Sequence, residues 1–388
     1  MSKFTHSISD YLKKCDIALW LLSVVAIVYS LLLISSMQRS GEYNFLRTQM
    51  IAIAIGLISA LVISVADYNY IIKKWYFAAI IAFILAGLVF VFGIQVEGTD
   101  DTAWIQVGSL TIQPSEFIKI CFIITFTKHL TYLEQKDMIK SFVGVITLAM
   151  HALIPMLIIH LQGDDGAVLI FALIFLFMSF IAGVQLRYFA ILGCVVLVSV
   201  PLIWNLFMND DQRNRILALF DIDGNAMTTY GWQQYQGKVS ISSGGLFGKG
   251  FLSGQRVEHG IVPEQENDFI FTVAGEELGF IGCIALMMIL LFIIIKILIN
   301  AKKANDTSGK LLCSGVFAII ASQSIINFGM VLGFFPVIGI TLPLFSAGGT
   351  SALATIVCLG LVQSVCTHNI GDMNTAVVRR ESRSRFKI

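Results

Sequence analysis

Charge is what this sequence lacks. Of 388 residues only 13% are Asp, Glu, Lys or Arg, against roughly 25% in an ordinary soluble domain. That is too little to coat a water-soluble chain of this length, and it excludes a disordered chain and a nucleic-acid-binding module. Proline is scarce, at six residues, so little interrupts long helices. The seven cysteines (Cys15, Cys121, Cys194, Cys283, Cys313, Cys358 and Cys366) are odd in number and scattered, mostly within apolar runs. They make no CxxC or other metal spacing, read as small core hydrophobes and exclude a disulfide scaffold. GxxxxGK[ST], HExxH and GxSxG are all absent, which leaves no nucleotide loop, zinc-protease helix or hydrolase elbow. His151 and His160 read as residues within or at the end of a helix. What is there is apolar: 56% hydrophobic residues and 29 phenylalanines, with a mean hydropathy of +0.81. The chain reads as a polytopic membrane protein.

Crossing about 30 Å of hydrocarbon takes roughly 20 helical residues. Apolar runs of that kind lie at 17–37, 48–66, 75–94, 142–160, 166–185, 188–207, 269–298, 311–335 and 344–366. A tenth, 114–133, carries Glu116, Lys119 and Lys128 but keeps helical spacing of its apolar residues. The first 16 residues are polar, and the run after them is too long for a signal peptide and lacks a small-residue cleavage site. With the N-terminus inside, the cytoplasmic segments collect most of the 26 basic residues: Lys3, Lys13, Lys14, Lys73, Lys74, Lys128, Lys136, Lys140, Arg187, Lys296, Lys302, Lys303, Lys310, Arg379, Arg380, Arg383, Arg385 and Lys387. The acidic clusters Glu97/Asp100/Asp101, Asp164/Asp165 and Asp210/Asp211 fall outside. The positive-inside rule then favours an even number of spans. The expectation is one all-α integral membrane domain over 1–388 with about ten transmembrane helices and both termini cytoplasmic. A basic cytoplasmic tail covers 367–388, and a large extracytoplasmic loop covers 208–267 between spans seven and eight. Glycine-punctuated and apolar through Gly244–Gly250, that loop is expected to fold against the bundle.

Polar groups at membrane depth are expensive, about 2.5–3.5 kcal/mol for a mid-bilayer charge on insertion scales, so those present are candidates. Four constellations stand out. In Gln113-Pro114-Ser115-Glu116-Phe117-Ile118-Lys119, Pro114 suits a first helical turn. Glu116 and Lys119 are spaced to pair, which reads equally as a self-neutralising helix start. In Gln162-Gly163-Asp164-Asp165-Gly166, two carboxylates suit a helix N-terminus as caps, or face a cation or substrate. In Pro263-Glu264-Gln265-Glu266-Asn267-Asp268-Phe269-Ile270-Phe271, Asp268, Thr272 and Glu276 fall at i, i+4 and i+8 on one helical face. Capping accounts for Asp268 but not for Glu276 and Glu277 two turns on, so a polar cavity or partners are expected there. Last come Asn327 to Pro336 and Ser346-Ala347-Gly348-Gly349-Thr350-Ser351, whose small residues serve either close helix packing or a substrate-lining break.

These blocks, in this order among ten spans, resemble the SEDS family of cell-wall proteins (RodA, FtsW and SpoVE) over roughly 16–370. The carriers are Gln113-Pro114-Ser115-Glu116, Gln236-x-Lys238 to Gly250, Pro263-Glu264 with Asp268-Phe269-Ile270-Phe271, Glu276-Glu277-x-Gly279, and Asn327 to Ser351. There are departures. Ala103 stands where the family has an arginine, Gln162-Gly163-Asp164-Asp165-Gly166 where it has Gln-Pro-Asp-Leu-Gly, and Ser346-Ala347-Gly348-Gly349 where it has Ser-Tyr-Gly-Gly. Asp164 aligns with the family's acid, and Asp165 is an added charge.

The resemblance implies a peptidoglycan glycosyltransferase in the bacterial cytoplasmic membrane. It would polymerise lipid II, an undecaprenyl-pyrophosphate-linked disaccharide–pentapeptide, into glycan strands during RodA-like elongation, or in division or sporulation. Attack by the acceptor 4-hydroxyl needs a general base, and the departing diphosphate needs positive charge. Asp268 is the expected base. Lys119, Lys238, Lys249 and Arg256 are the expected cations, with Glu116, Asp164, Asp165, Gln236, Glu276, Glu277, Asn327, Ser346, Gly348 and Gly349 binding substrate or supporting the site. No cofactor is certain; a divalent cation held by Asp164 and Asp165 is one option. Implied partners are a class B penicillin-binding transpeptidase, other elongation- or division-complex membrane proteins and membrane lipid, with no nucleic acid. A lipid II flippase or other transporter, or a scaffold for a partner synthase, are the competing readings. Against a transporter, no paired broken helices of the inverted-repeat kind are visible.

Overall fold

In hydrocarbon a backbone has to satisfy its own N–H and C=O groups, so long apolar runs become helices. The computed structural model describes residues 11–37, 45–95, 102–108, 110–220 and 230–369. In chain order they form α1 (Ile17–Met37), α2 (Phe45–Val65), the short α3 (Tyr68–Lys73), α4 (Trp75–Phe92), β1 (Gly93–Ile94), β2 (Trp104–Val107) and β3 (Leu110–Ile112). There follow α5 (Pro114–Gln135), α6 (Phe142–His160), α7 (Asp165–Ile181), α8 (Leu186–Leu202, continued by a π turn at Ile203–Phe207) and α9 (Asp210–Leu217). The remainder is α10 (Trp232–Ser243), α11 (Gln255–Glu258), α12 (Ile270–Lys303), α13 (Thr307–Leu332) and α14 (Gly349–Asn369).

Helices stand at all ten predicted places, and eight of those described are long and apolar enough to cross a membrane: α1, α2, α4, α6, α8, α12, α13 and α14. The other two differ for readable reasons. α7 is apolar but only 17 residues long, and α5 is long enough but carries Glu116, Lys119, Lys128 and Glu134. The all-α membrane fold stands, with one small addition: β1, β2 and β3 pair antiparallel into a three-stranded sheet ahead of α5. One expectation needs correction. The run 344–366 does not begin as helix: 333–348 is irregular, with Gly339 and Leu344 at positive φ, and α14 starts at Gly349. Of the predicted basic tail, residues 370–388 lie outside the described residues.

The segment between α8 and α12 folds against the bundle. α10 runs alongside the start of α12, with Gly237 against Phe269 and Thr272. The Gly244–Gly250 turn inserts where α12 breaks. At Gly279 the backbone takes φ 69°, ψ −164°, and a Cβ there would lie 2.3 Å from the Gly248 nitrogen. The freed helical groups are taken up by the turn: Phe280 N–H donates to Gly245 O at 2.9 Å and Ile281 N–H to Leu246 O at 3.2 Å. A broken helix in a membrane needs this kind of replacement partner. Elsewhere small residues let helices touch. A Cβ on Gly360 of α14 would sit 2.6 Å from the Ala60 Cα of α2, the close approach that gives membrane helices their packing energy.

Candidate functional site

The motif at the head of α5 and the one at the head of α7 converge. Asp164 caps α7, its Oδ1 accepting from the Ala167 N–H at 2.9 Å. Its Oδ2 accepts from Gln113 Nε2 and Ser115 Oγ, both at 2.8 Å. One turn into α5, Lys119 Nζ donates to Glu116 Oε1 at 2.8 Å, with the lysine 2% exposed. Beside this pair lies a small polar cavity lined by Gln113, Glu116, Lys119, Asp164, Gln323 and residues 339–341, with Ala167 and Ile170 on its apolar side.

Asp268 lies outside that cavity's lining but close to Gly339, which belongs to it. It precedes α12, whose N-cap is Phe269 without a side-chain cap bond, so Asp268 neither caps the helix nor shares a helical face with Thr272 and Glu276. Its carboxylate accepts no hydrogen bond from the described residues, and a Cβ on cavity-lining Gly339 would lie 3.8 Å from its Oδ2. The backbone around it is clamped. Asn327 Nδ2 donates to Asp268 O at 2.8 Å and to Ile340 O at 2.7 Å. Ser346 Oγ donates to Asn267 O at 2.6 Å and accepts from Leu342 N–H, and Ala347 N–H donates to Glu266 O at 2.7 Å. The side chain keeps some surface open to solvent but is packed round by protein. That burial, and then the carboxylates of Glu264, Glu266 and Asp164, push its pKa up to about 7. A helix N-terminus alone would favour the ionised form; here the protein surroundings outweigh it.

The structure spends most of the remaining predicted residues on holding the loop. Glu276 is fully buried and accepts from Lys249 Nζ at 2.7 Å, from the Arg256 N–H at 3.0 Å and from the Val257 N–H at 3.1 Å. Arg256 also donates to Ser240 Oγ at 2.8 Å and to Gln236 Oε1. Glu277 accepts from Ser36 and from backbone at Leu252 and Gly254, while its buried Oε2 has no partner. The polar surroundings expected for Glu276 and Glu277 are thus supplied by the folded loop. Lys238 differs: it is exposed, beside Gly333, and makes no hydrogen bond or ion pair with the described residues.

Asp165 goes elsewhere. Its carboxylate meets His160 Nδ1 at 2.6 Å and accepts from Gln212 Nε2 of α9 at 2.8 Å. It does not join Asp164, whose oxygens are already occupied. Among the described residues no group of three or more His, Cys, Asp or Glu is arranged to hold a metal ion. Gly349 packs against Ala52 and Thr48, and Gly348 has room around it. Gln323 is the residue the sequence reading passes over. Its signal is an amide four residues before Asn327, hence on the same face of an apolar helix.

The chain is similar to known proteins along most of its length. It is 31% identical over 355 residues to the peptidoglycan glycosyltransferase MrdB of Escherichia coli K12, covering 91% of this chain and 94% of that one. To a probable peptidoglycan glycosyltransferase FtsW of Trichlorobacter lovleyi it is 31% identical over 326 residues, 84% of each chain. The crystal structure of the Thermus thermophilus rod shape determining protein RodA matches with a TM-score of 0.66 at 25% identity, covering 92% of this chain and 97% of that one. A chain from a structure of a peptidoglycan synthase complex that coordinates polymerization and crosslinking shares the fold, with a TM-score of 0.76 at 24% identity over 92% of this chain and 98% of that one. The model of the FtsW/RodA/SpoVE family, described as cell cycle protein, matches residues 12–370, and with these relatives it establishes that this multi-pass membrane chain belongs to that family.

Proposed function

We propose that this chain is a peptidoglycan glycosyltransferase that polymerises lipid II into glycan strands at the outer face of the cytoplasmic membrane. In this reading all ten helices span, including short α7 and charged α5. Both termini are cytoplasmic, and the site opens outward where α5, α7, α12 and α13 meet. Elongation of the cell wall is the favoured setting, with division and sporulation as the related ones. A class B transpeptidase is the natural partner, in keeping with the complex in which a chain of this fold is found.

The observation that supports the chemistry is the Asp268 carboxylate. It lies beside Gly339 of the polar cavity's lining, is clamped through its backbone by Asn327, and is left without a hydrogen-bond partner of its own. A general base works best with a pKa near the operating pH, and Asp268 sits at about 7. The ionised carboxylate takes the proton from the acceptor 4-hydroxyl as that oxygen attacks the anomeric carbon and the glycosyl–diphosphate bond breaks. Charge develops on the departing diphosphate. Lys238 is the predicted cation left uncommitted, whereas Lys119, Lys249 and Arg256 are engaged within the protein.

The test is Asp268→Asn in purified protein supplied with lipid II. The variant folds and lengthens glycan about 10²–10⁴-fold more slowly. A folded variant keeping more than about a tenth of the rate would remove Asp268 from the role. Wild-type protein that moves lipid II across vesicles without lengthening glycan would make it a flippase.

A further inference from the structure

Gln323 has no work to do within the protein. It lies two turns inside α13, is 2% exposed, and lines the cavity beside the Glu116–Lys119 pair. Its Oε1 is buried with no hydrogen-bond partner, and its amide nitrogen makes no bond to the described residues either. A buried acceptor left unsatisfied is costly, and this one belongs to a residue that lines a cavity, where a ligand can supply the missing partner.

The cavity states what that ligand looks like. Its cation is already neutralised, because Lys119 and Glu116 are in contact, so nothing in it selects a free phosphate by charge. Asp164 has both oxygens committed to Gln113, Ser115 and Ala167. What is on offer is one open acceptor on Gln323, open donors on Gln323 and Lys119 (an ammonium has three N–H groups), and an apolar wall from Ala167, Ile170 and Ile340. The cavity has room for about one water molecule, so a larger ligand enters only as its lining gives way. A small neutral group with an N–H, a C=O and a methyl then meets all three requirements. An acetamido group is such a group.

We infer that Gln323 is a specificity-determining residue, its carboxamide receiving the N–H of a substrate sugar's acetamido group while the cavity's apolar wall takes the methyl. This rests on the glycan-polymerising reading above and names the part of the substrate that the cavity reads. Gln323 sits below the reacting atoms and takes no proton.

The experiment compares lipid-linked disaccharides with intact acetamido groups against analogues with hydrogen in their place, because a free amine would still offer Gln323 an N–H, in wild-type protein, Gln323→Leu and Gln323→Met. Wild type prefers the acetylated substrate by about tenfold or more in kcat/KM, as a site with a buried polar group rejects an analogue that leaves it unpaired. Both variants lose about tenfold or more on the acetylated substrate and bring the preference to within about threefold. Their thermal stability in detergent is unchanged or higher, because an orphaned polar group has been replaced by an apolar one. A preference kept in both variants, with rates near wild type, would mean that Gln323 holds only a water, and would overturn the inference. Failure of both variants to fold would make Gln323 structural and overturn it too. Wild-type protein that lengthens no glycan from the acetylated substrate would overturn the functional reading itself, and this inference with it, before any variant is compared.

Discussion

The helices that hold the site and the helices that meet the lipid invert the usual relation between hydropathy and burial. In α13 and α14, 78% of the most apolar window is buried, whereas along Leu186–Leu206 none is, although α8 is the more apolar. α13 buries Ser314, Ser322, Gln323, Ser324 and Asn327, and α14 buries Thr350, Ser351, Thr355, Gln363 and Ser364. α8 has no buried residue and turns Leu197 and Val198 outward. In water, burial rewards apolar side chains. In a bilayer the tails outside are as apolar as a leucine, so helix association comes from close packing and hydrogen bonds instead. Polarity therefore marks the inside of this molecule, and the proposed site lies among the more polar of its spans.

The comparison breaks most sharply at α5, a predicted span with an ion pair inside the bundle. Lys119 is almost fully buried, and Glu116 is its ion-pair partner. Removing one member of a buried pair strands the other, at about 3–5 kcal/mol. Glu116→Ala therefore folds poorly, read as a lost thermal transition and lost polymerisation. The double variant Glu116→Gln/Lys119→Met removes both charges and recovers most of the stability, though not necessarily the activity. A Glu116→Ala protein with wild-type stability would show that water reaches Lys119, and that the interior of the bundle is wet.

Much of this was legible in the chain. Lipid-facing spans announce themselves by long apolar runs, and Glu116 and Lys119 pair as their three-residue spacing predicts. The stretch 344–348 is apolar enough to read as the start of a span; its turns depend on clamps from distant residues such as Asn267 and Glu266. The partners of Glu276 and Arg256 are hidden for the same reason: a carboxylate two turns inside a span calls for a polar cavity or partners, and the loop that saturates it comes from elsewhere in the chain. Asp165 sits next to Asp164 in sequence and turns to His160 instead, a choice that spacing does not encode. Gln323 left a weaker trace, one amide in an apolar run, because what sets it apart is the absence of a partner.

A second test of the polar interior is pH. Asp268 is raised from an ordinary 3.8 to about 7, first by burial and then by Glu264, Glu266 and Asp164. A carboxyl raised on folding favours the fold in its protonated form. That contribution is full below about pH 4 and is lost as the pH rises through about 7. Activity runs the opposite way, since the base has to be ionised. Below about pH 7, kcat/KM falls about tenfold per pH unit while the protein becomes no less stable through this group. Glu264→Gln removes one of the neighbouring carboxylates and moves the rising limb to lower pH. A limb that stays near pH 4–5 in wild type would place Asp268 in open water and weaken its contrast with the lipid-facing side.

The smallest effect expected is on the other side of the comparison. Leu197 on α8 is 73% exposed, whereas Leu312 on α13 is fully buried, and both are leucines within spans. Leu312→Ala removes packed contacts that lipid cannot replace from inside the bundle, at about 2 kcal/mol or more. Leu197→Ala trades a side chain that meets lipid for the lipid itself. Its stability change stays within about 0.5 kcal/mol, as at other surface positions without a special contact, and the polymerisation rate is unaltered. Thermal unfolding of the two variants in the same bilayer mimic measures the difference directly. If Leu197→Ala cost as much as Leu312→Ala, α8 would be packed against a protein surface in the membrane. Its bare face would then mark an interface, and hydropathy would no longer separate the lipid side of this fold from the side that carries the site.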